Sequence, residues 1–344
     1  MDDISNKINQ LGLGRLARDK WLSSSLLQKA IRRGSVDWGR AAVNALLDAD
    51  PPRLWRRLAV IAVEDIGIAG LDLVGQAVAA CRSKGRGSQE QRRERALALM
   101  EKLCRSPKCR ATDDLYAVAA YGRHLERERQ QFVALPLDQV VEVAIRAENP
   151  EVAAVAAVYA LGTMRPGTAG FGARRGSPSM LFDGFLFSGH FLTVTEMCRD
   201  GYAATGCELF GLLPLLTRFW NVETFETITD TFPVCGLHEG VPSCAVDYFT
   251  RDGRAALTRF LKTNADSARW INERVSPQRR VEALGTLLFH VDGGLMADRL
   301  VWPLGVQFRE KAERFCNPGS ADVREALSLL RADFPAFDRL RVNE

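Results

Sequence analysis

Apolar positions in the first half of the chain recur at helical spacing. Ser25 to Arg33 places Leu26, Leu27, Ala30 and Ile31 on one face and stops at Gly34. Ser35 to Asp48 follows, with Trp38, Ala41, Ala42, Ala45 and Leu46 on its apolar side. Asp50 suits a helix cap, Pro51 the first turn and Gly67 the end, so a helix is predicted between them. Asp72 to Cys81 is the next. Ser88 and Gln91 then stand at the spacing of a capping box, which opens a helix to about Arg105. Ser106-Pro107 breaks it, and Thr112 to Tyr121 makes one more. Nothing in this half alternates as a strand does. The connections are short, as in stacked helix pairs, and no fixed-length repeat marks a regular solenoid.

Beyond residue 130 the helices continue. Asp138 to Ala147 is one, and Asn149-Pro150 caps another that runs to Gly162. The second is apolar almost all round, which predicts a place in the centre of a core. Residues 162 to 178 hold five glycines together with Arg165, Arg174 and Arg175, the composition of a loop or linker. Aromatic residues then become dense, from Phe182 to Phe232. Leu209 to Trp220 reads as a buried helix, Thr224 to Thr231 fits a helix or a strand, and Ser320 to Ala332 is the last clear helix. The pattern predicts an all-α protein in segments: 1–24 basic, 25–130 helical, 131–162 connecting helices, 163–178 loop or linker, and 179–344 a second, mostly helical, aromatic-rich domain.

Charge refines this picture. Of a net +4, residues 1 to 130 contribute 24 basic against 16 acidic side chains, and the remainder 22 against 26. A basic first half fits contact with nucleic acid, although solvated helix faces have the same composition. The longest nearly unbroken apolar run, Val152 to Leu161, is far short of the roughly 20 residues that span a bilayer. Met1 to Ser5 has an acidic start with no apolar core behind it, so a cytoplasmic protein without membrane contact is expected.

Recognisable catalytic motifs are missing. There is no P-loop, no Gly-x-Gly-x-x-Gly after a strand, no Gly-x-Ser-x-Gly and no His-Glu-x-x-His. The eight cysteines are scattered, as in a reduced chain, and none has the paired C-x-x-C spacing of a zinc site. Two groups stand out: Cys104 with Cys109, and Cys235, His238 and Cys244 in one loop-like stretch. A nucleophilic Cys235 or Cys244 with His238 or His190 as base defines an enzymatic alternative. The expectation is otherwise of no catalytic residue, no cofactor and no metal. Basic side chains are better candidates. Adjacent arginines recur at 32–33, 56–57, 92–93, 174–175 and 279–280, and Lys84-Gly85-Arg86-Gly87 flanks glycines with charge. Lys29, Arg32, Arg33, Lys84, Arg86 and Lys108 are the candidate phosphate contacts, set against the commoner use of such residues in ion pairs.

Three segments carry a resemblance. Leu27 to Gly34 with Asp37, Ala41 and Ala42 is the first. Asp50-Pro51 followed by Arg56-Arg57-Leu58-Ala59-Val60-Ile61-Ala62-Val63-Glu64-Asp65-Ile66-Gly67-Ile68-Ala69 is the second and most specific. Ser106-Pro107-Lys108 with Tyr116 and Ala117 is the third. In this order residues 25 to 121 resemble the C-terminal, clamp-loader-like collar of the RarA/MgsA replication-associated recombination ATPases, related to Werner helicase-interacting protein. The resemblance implies a helical collar that assembles subunits, with Arg56, Arg57, Glu64, Asp65 and Gly67 as its motif residues. The ATPase module is missing, and Cys109-Arg110 stands where the family has Ser-Asn. The expectation is a non-catalytic accessory factor in DNA replication, repair or recombination. Its partners would be single-stranded or forked DNA, an AAA+ ATPase or replication protein, and further copies of itself. A protein–protein scaffold without a nucleic-acid role is the alternative.

Overall fold

The computed structural model describes residues 8, 10–83, 86–164, 170–189, 191–220, 225–315 and 323–342. It is 75% helical and 4% strand, an all-α fold. The first series of helices is α1 Gln10–Arg18, α2 Lys20–Arg33, α3 Val36–Ala49, α4 Pro51–Ile61, α5 Leu71–Arg82, α6 Gln89–Arg105 and α7 Ala111–Tyr121. It continues with α8 Glu126–Ala134, α9 Leu137–Arg146, α10 Pro150–Leu161, α11 Pro178–Phe187, α12 Leu192–Thr205 and α13 Leu209–Phe219. After these come α14 Arg251–Phe260, α15 Asp266–Arg274, α16 Arg280–Leu288, α17 Pro303–Phe315 and α18 Val323–Val342. The strands are short: β1 Glu226–Ile228 pairs antiparallel with β4 Arg299–Val301, and β2 Leu237–His238 pairs with β3 Val241–Pro242.

Local capping signals set several of these boundaries. Asp50 accepts from Arg53 N at 3.2 Å, with Pro51 behind it in the first turn. Ser88 and Gln91 form the reciprocal capping box. Asn149 accepts from Glu151 N at 2.8 Å and starts α10. The structure extends one element beyond its sequence reading: α2 begins at Lys20, because the Asp19 carboxylate caps Trp21 N and Leu22 N at 2.9 and 3.0 Å. Within the basic segment 1–24, residues 10–18 and 20–24 are helical on either side of the Asp19 cap, with Leu16 buried in the core. A second reading is also adjusted. The helix from Pro51 is α-helical only to Ile61 and continues as one π-helical turn, Ala62–Ile66.

Two helices are interior elements. In α2, eleven of fourteen residues are buried, so it is enclosed rather than laid on a surface. It packs against α1, α3 and α6 and against the turn at Ser243–Ala245. In α10 every residue from Ala153 to Leu161 is buried, as its sequence predicts, and α7, α9 and α13 surround it. One core runs through α2 to α13, the β2–β3 hairpin and α17 without a break at 163–178. The described part of that loop is tied down. Arg174 donates to carbonyls at the end of α8, those of Phe132 and Val133 (2.9 Å), and to that of the following residue, Leu135 (2.7 Å), while Thr163 accepts from its backbone N–H at 2.9 Å. Arg165 lies outside the described residues. A second, smaller core joins α14, α15, α16 and α18.

Close packing of α12 on α13 depends on Gly201, where a Cβ would meet the Phe210 ring at 2.3 Å. Gly201→Ala is expected to destabilise the protein by about 1–3 kcal/mol through overpacking. Urea unfolding measures it, and an unchanged midpoint would mean that the two helices are not so closely apposed.

Candidate functional site at the Glu64–Asp65 turn

The site forms where α2, the π turn after α4 and the start of α7 meet. In the π turn the Gly67 N–H reaches back five residues to the Ala62 carbonyl. Gly67 then leaves with φ 51°, a conformation that L side chains avoid, and a Cβ there would sit 2.9 Å from the Cys109 carbonyl oxygen. This explains the glycine that ends the motif. Cys109 N donates to the Asp65 carbonyl at 2.8 Å, which fixes the strand-like run before α7 against the turn.

Adjacent residues on an α-helix point about 100 degrees apart. In this turn Glu64 and Asp65 nevertheless serve the same two guanidiniums. Arg32 donates to Asp65 through Nε at 2.9 Å and to Glu64 at 2.8 Å. Arg110 donates to Asp65 at 2.6 Å and to Glu64 at 3.0 Å, and also pairs with Asp113. Gln28 donates its amide to Asp65 at 3.0 Å and receives Arg57. Asp65 is fully buried, Arg32 and Arg110 nearly so. Burial by itself would raise the Glu64 pKa, but Arg32, Arg110 and Arg57 hold it down to about 2. Arg56 turns away to the Thr205 carbonyl at the end of α12.

A second π turn, Phe289–Gly293, closes the network from the other side. Arg32 donates to the Gly293 carbonyl at 2.6 Å, and the Phe289 ring faces both guanidiniums, 5.3 Å from Arg32 and 4.8 Å from Arg110. A cavity of about 40 Å³ adjoins it, lined among others by Arg110, Asp114, His290, Arg299, Trp302 and Arg309. That volume holds about three waters and excludes a nucleotide or a base. Burial pushes Asp114 up to about 6, against the pull of Arg110 and Arg309. Burial and then Arg309 and Arg110 push His290 down to about 3, so its imidazole is neutral. Its Nε2 has no hydrogen-bond partner among the described residues.

The candidate phosphate contacts are mostly inside the protein, which corrects their reading from sequence. Lys29 is buried against Asp247 and Ser25. Arg32 is consumed by the network above. Arg33 pairs with Asp292 and is buried under it, its guanidinium over the Phe232 ring at 4.8 Å. Lys108 is fully buried and donates to the Cys104 and Ser106 carbonyls, closing the C-terminus of α6. A buried charge needs its partners inside the protein: Lys29, Arg32 and Arg33 have carboxylates, and Lys108 has the two helix-end carbonyls. Arg86 is exposed, and Lys84 lies outside the described residues.

The cysteine groups also separate. Cys104 and Cys109 are both buried, and burial pushes both thiols up, to about 12 and about 11. Cys235 and Cys244 come together at the base of the β2–β3 hairpin, on either side of the hydrogen bond from Ser243 N to the Gly236 carbonyl. His238 is directed elsewhere: its Nε2 is 3.6 Å from Asp252, and Arg15 donates to its carbonyl at 3.0 Å. The Cys–His couple of the enzymatic alternative is thus not formed with His238, and His190 lies outside the described residues. Among the described residues no set of three or more His, Cys, Asp or Glu side chains is arranged to hold a metal ion, and no helix is long and apolar enough to cross a membrane.

The sequence marks Glu64 and Asp65 as motif residues through the resemblance. It does not point to Arg110, Gln28 and Phe289 as their partners, which lie 36 to 225 residues away from them in the chain and have no local signature.

Arg32→Ala leaves Asp65 buried beside a single guanidinium. A loss of about 3–5 kcal/mol in urea unfolding is expected, and a neutral result would remove the network as the support of this joint. The Glu64 carboxyl has a folded pKa below its ordinary 4.5, so its contribution is complete above that value and disappears as pH falls toward about 2. Glu64→Gln is expected to lose on the order of 3 kcal/mol at pH 7 and almost nothing at pH 2. Equal losses at both pH values would contradict the depressed pKa.

No family model, curated protein or solved structure matches the chain significantly.

Proposed function

We propose that the chain is a non-catalytic accessory factor of DNA replication, repair or recombination. It contacts DNA phosphates along the exposed basic edge between α5 and α6, and it self-associates or joins an AAA+ ATPase through its collar-like helices. The observation that carries this reading is the exposure left after the buried bases are taken out. From residue 82 to 105 there are eight basic side chains against three acidic ones. Arg82, Arg86, Arg93, Arg95, Lys102 and Arg105 are all exposed. The Arg95 guanidinium reaches the Arg86 carbonyl, and Lys102 donates to Gln76 on α5 at 3.1 Å, so these groups share the edge where the two helices meet. Arg82 pairs with Asp200 and Arg105 with Glu101, while Arg86, Arg93, Arg95 and Lys102 leave an excess of exposed positive charge, the arrangement that favours polyanions. The resemblance of 25–121 to a replication-associated collar supports DNA as the polyanion. The inward-facing Glu64–Asp65 turn supports a structural role for the motif and no catalysis.

A scaffold without a nucleic-acid role is the second reading, favoured by one surface feature. Phe187, Phe191 and Leu192 are 92%, 65% and 61% exposed at the corner between α11 and α12, an apolar patch suited to a protein partner.

Fluorescence anisotropy with single-stranded, duplex and forked DNA separates the two. Three phosphate contacts would weaken binding roughly 40-fold between 50 and 200 mM salt. The triple variant Arg86→Glu, Arg93→Glu, Arg95→Glu is expected to abolish binding while leaving the unfolding midpoint within about 0.5 kcal/mol. Binding that ignores both salt and this variant would overturn the placement. No binding to any of the three DNAs, with an oligomer in light scattering, would favour the scaffold.

A further inference from the structure

The β2–β3 hairpin brings two cysteines together at its base. His238 pairs with Val241 and Leu237 with Pro242 around a two-residue turn, Glu239-Gly240, in which both φ angles are positive, 49° and 78°. This is the geometry of a type I′ hairpin. Ser243 N donates to the Gly236 carbonyl at 2.9 Å, so the pairing continues one step beyond the strands. Cys235 and Cys244 flank this hydrogen bond, Cys235 just before Gly236 and Cys244 just after Ser243 in the tight turn Ser243–Ala245. They are thus neighbours at the base of the hairpin, and a disulfide spans Cα atoms about 4.4–6.8 Å apart. Both are free thiols here.

We propose that Cys235 and Cys244 are a redox-active dithiol, oxidised by hydrogen peroxide to an intramolecular disulfide and restored by a dithiol reductant. Three further observations assign the roles. First, the Arg33 guanidinium approaches the Cys235 sulfur at 3.5 Å, and Arg341 adds a second positive charge, with Asp292 between the two arginines as their shared anion. Second, the neighbouring Cys244 thiol favours the anion on Cys235, so that one thiol carries the charge and the other the proton. Cys244, with Arg33 and Arg341 and against burial and Asp292, lowers the Cys235 pKa to about 7, while Cys244 moves well up. Third, Cys235 keeps 7% of its surface and stands beside the highly exposed Val234, whereas Cys244 is fully buried. Cys235 is thus the attacking thiol and Cys244 the resolving one.

In the first step the Cys235 thiolate attacks one peroxide oxygen. The S–O bond forms, the O–O bond breaks, and the departing hydroxide takes up a proton as water. In the second step the Cys244 sulfur attacks the sulfenic sulfur of Cys235, the S–O bond breaks, and the hydroxyl leaves with the Cys244 proton as a second water. Two thiols and one peroxide give one disulfide and two waters. Reduction by an external dithiol reverses the change by two thiol–disulfide exchanges. The hairpin is held by α18, since Asp338 accepts from Gly236 N at 2.9 Å and from the Ser243 hydroxyl at 2.7 Å and pairs with Arg341. Oxidation therefore removes a negative charge from the joint where the smaller core, through α18, meets the larger one.

The test uses the full reduced chain. Hydrogen peroxide is added, residual thiols are alkylated under denaturing conditions, and the Cys235–Cys244 loop is identified by peptide mass mapping. The expected result is a bridge confined to these two residues and reversed by dithiothreitol. Thiolate fraction and nucleophilicity together make Cys235 about a hundredfold faster at pH 7 than a thiol held near pKa 12, such as Cys104. Cys244→Ser should stop the reaction at a sulfenic acid on Cys235, trapped by dimedone, and Cys235→Ser should leave Cys244 unoxidised. The alkylation rate of Cys235 should rise with a midpoint near pH 7. Oxidation of Cys235 no faster than Cys104, or a bridge to any other cysteine, would overturn the proposal. Wild-type protein carries this comparison by itself if a variant fails to fold.

Discussion

The last two turns of α2 hold the structure together, because there an enclosed helix has polar groups that must all find partners inside the protein. Gln28, Lys29, Arg32 and Arg33 leave the helix in different directions. Each is anchored to a different piece of chain: Gln28 and Arg32 to the turn at Glu64–Asp65, Lys29 to Asp247, Arg33 to Asp292. A buried charge without its partner costs several kcal/mol, so the surrounding segments are constrained to one arrangement around this helix. The two π turns are part of that arrangement. Each places an acidic side chain or a carbonyl where the guanidiniums of α2 end, and a regular α-helical turn would send the neighbouring groups of Glu64 and Asp65 apart.

This constraint decides what the charge of the chain means. The sequence of the first 130 residues is basic, but a count of cations does not distinguish those spent inside from those left on the surface. Lys29, Arg32, Arg33 and Lys108 satisfy carboxylates or helix carbonyls of their own chain and have no remaining reach to a phosphate. Arg86, Arg93, Arg95 and Lys102 are exposed, on a short connection and an exposed helix face, and no carboxylate of the described residues pairs with them within 4 Å. The electrostatic argument for a nucleic-acid partner survives this subtraction, and it moves along the chain by more than one helix.

The elements that were legible share one property: their determinants lie within a few residues. Asp50 with Pro51, Ser88 with Gln91 and Asn149 with Pro150 cap helices through neighbouring backbone groups, so composition and spacing reveal them. The continuously apolar stretch of α10 likewise reports its own burial. Glu64 and Asp65 were legible only in part. Two carboxylates at the C-terminal end of a helix oppose its dipole and so call for cationic partners, but Arg110 lies 45 residues beyond Asp65 and Phe289 near the far end of the chain. The π turn itself was hidden, since its residues are those of an ordinary helix and its cause is tertiary. The unbroken core past 163–178 was hidden for the same reason: a glycine-rich stretch reads as a linker unless one knows that Arg174 closes the end of α8.

The hairpin at Cys235–Cys244 extends the same logic to the second core. Helix α18 carries Asp338 and Arg341 on one face, three residues apart, so that the carboxylate meets the hairpin while the guanidinium meets Asp292. Arg33 approaches Asp292 from α2. The smaller core is therefore joined to the larger through a compact set of charges in which every cation has an acidic partner and the Cys235 sulfur is the one additional acceptor. Such a set has little slack. A change of one charge at the sulfur alters the balance felt by Arg33 and Arg341 together, and through them by α2 and α18. The same helix that fixes the Glu64–Asp65 turn thus reaches the thiol pair, one residue further along, which makes α2 the element through which either site would sense the other.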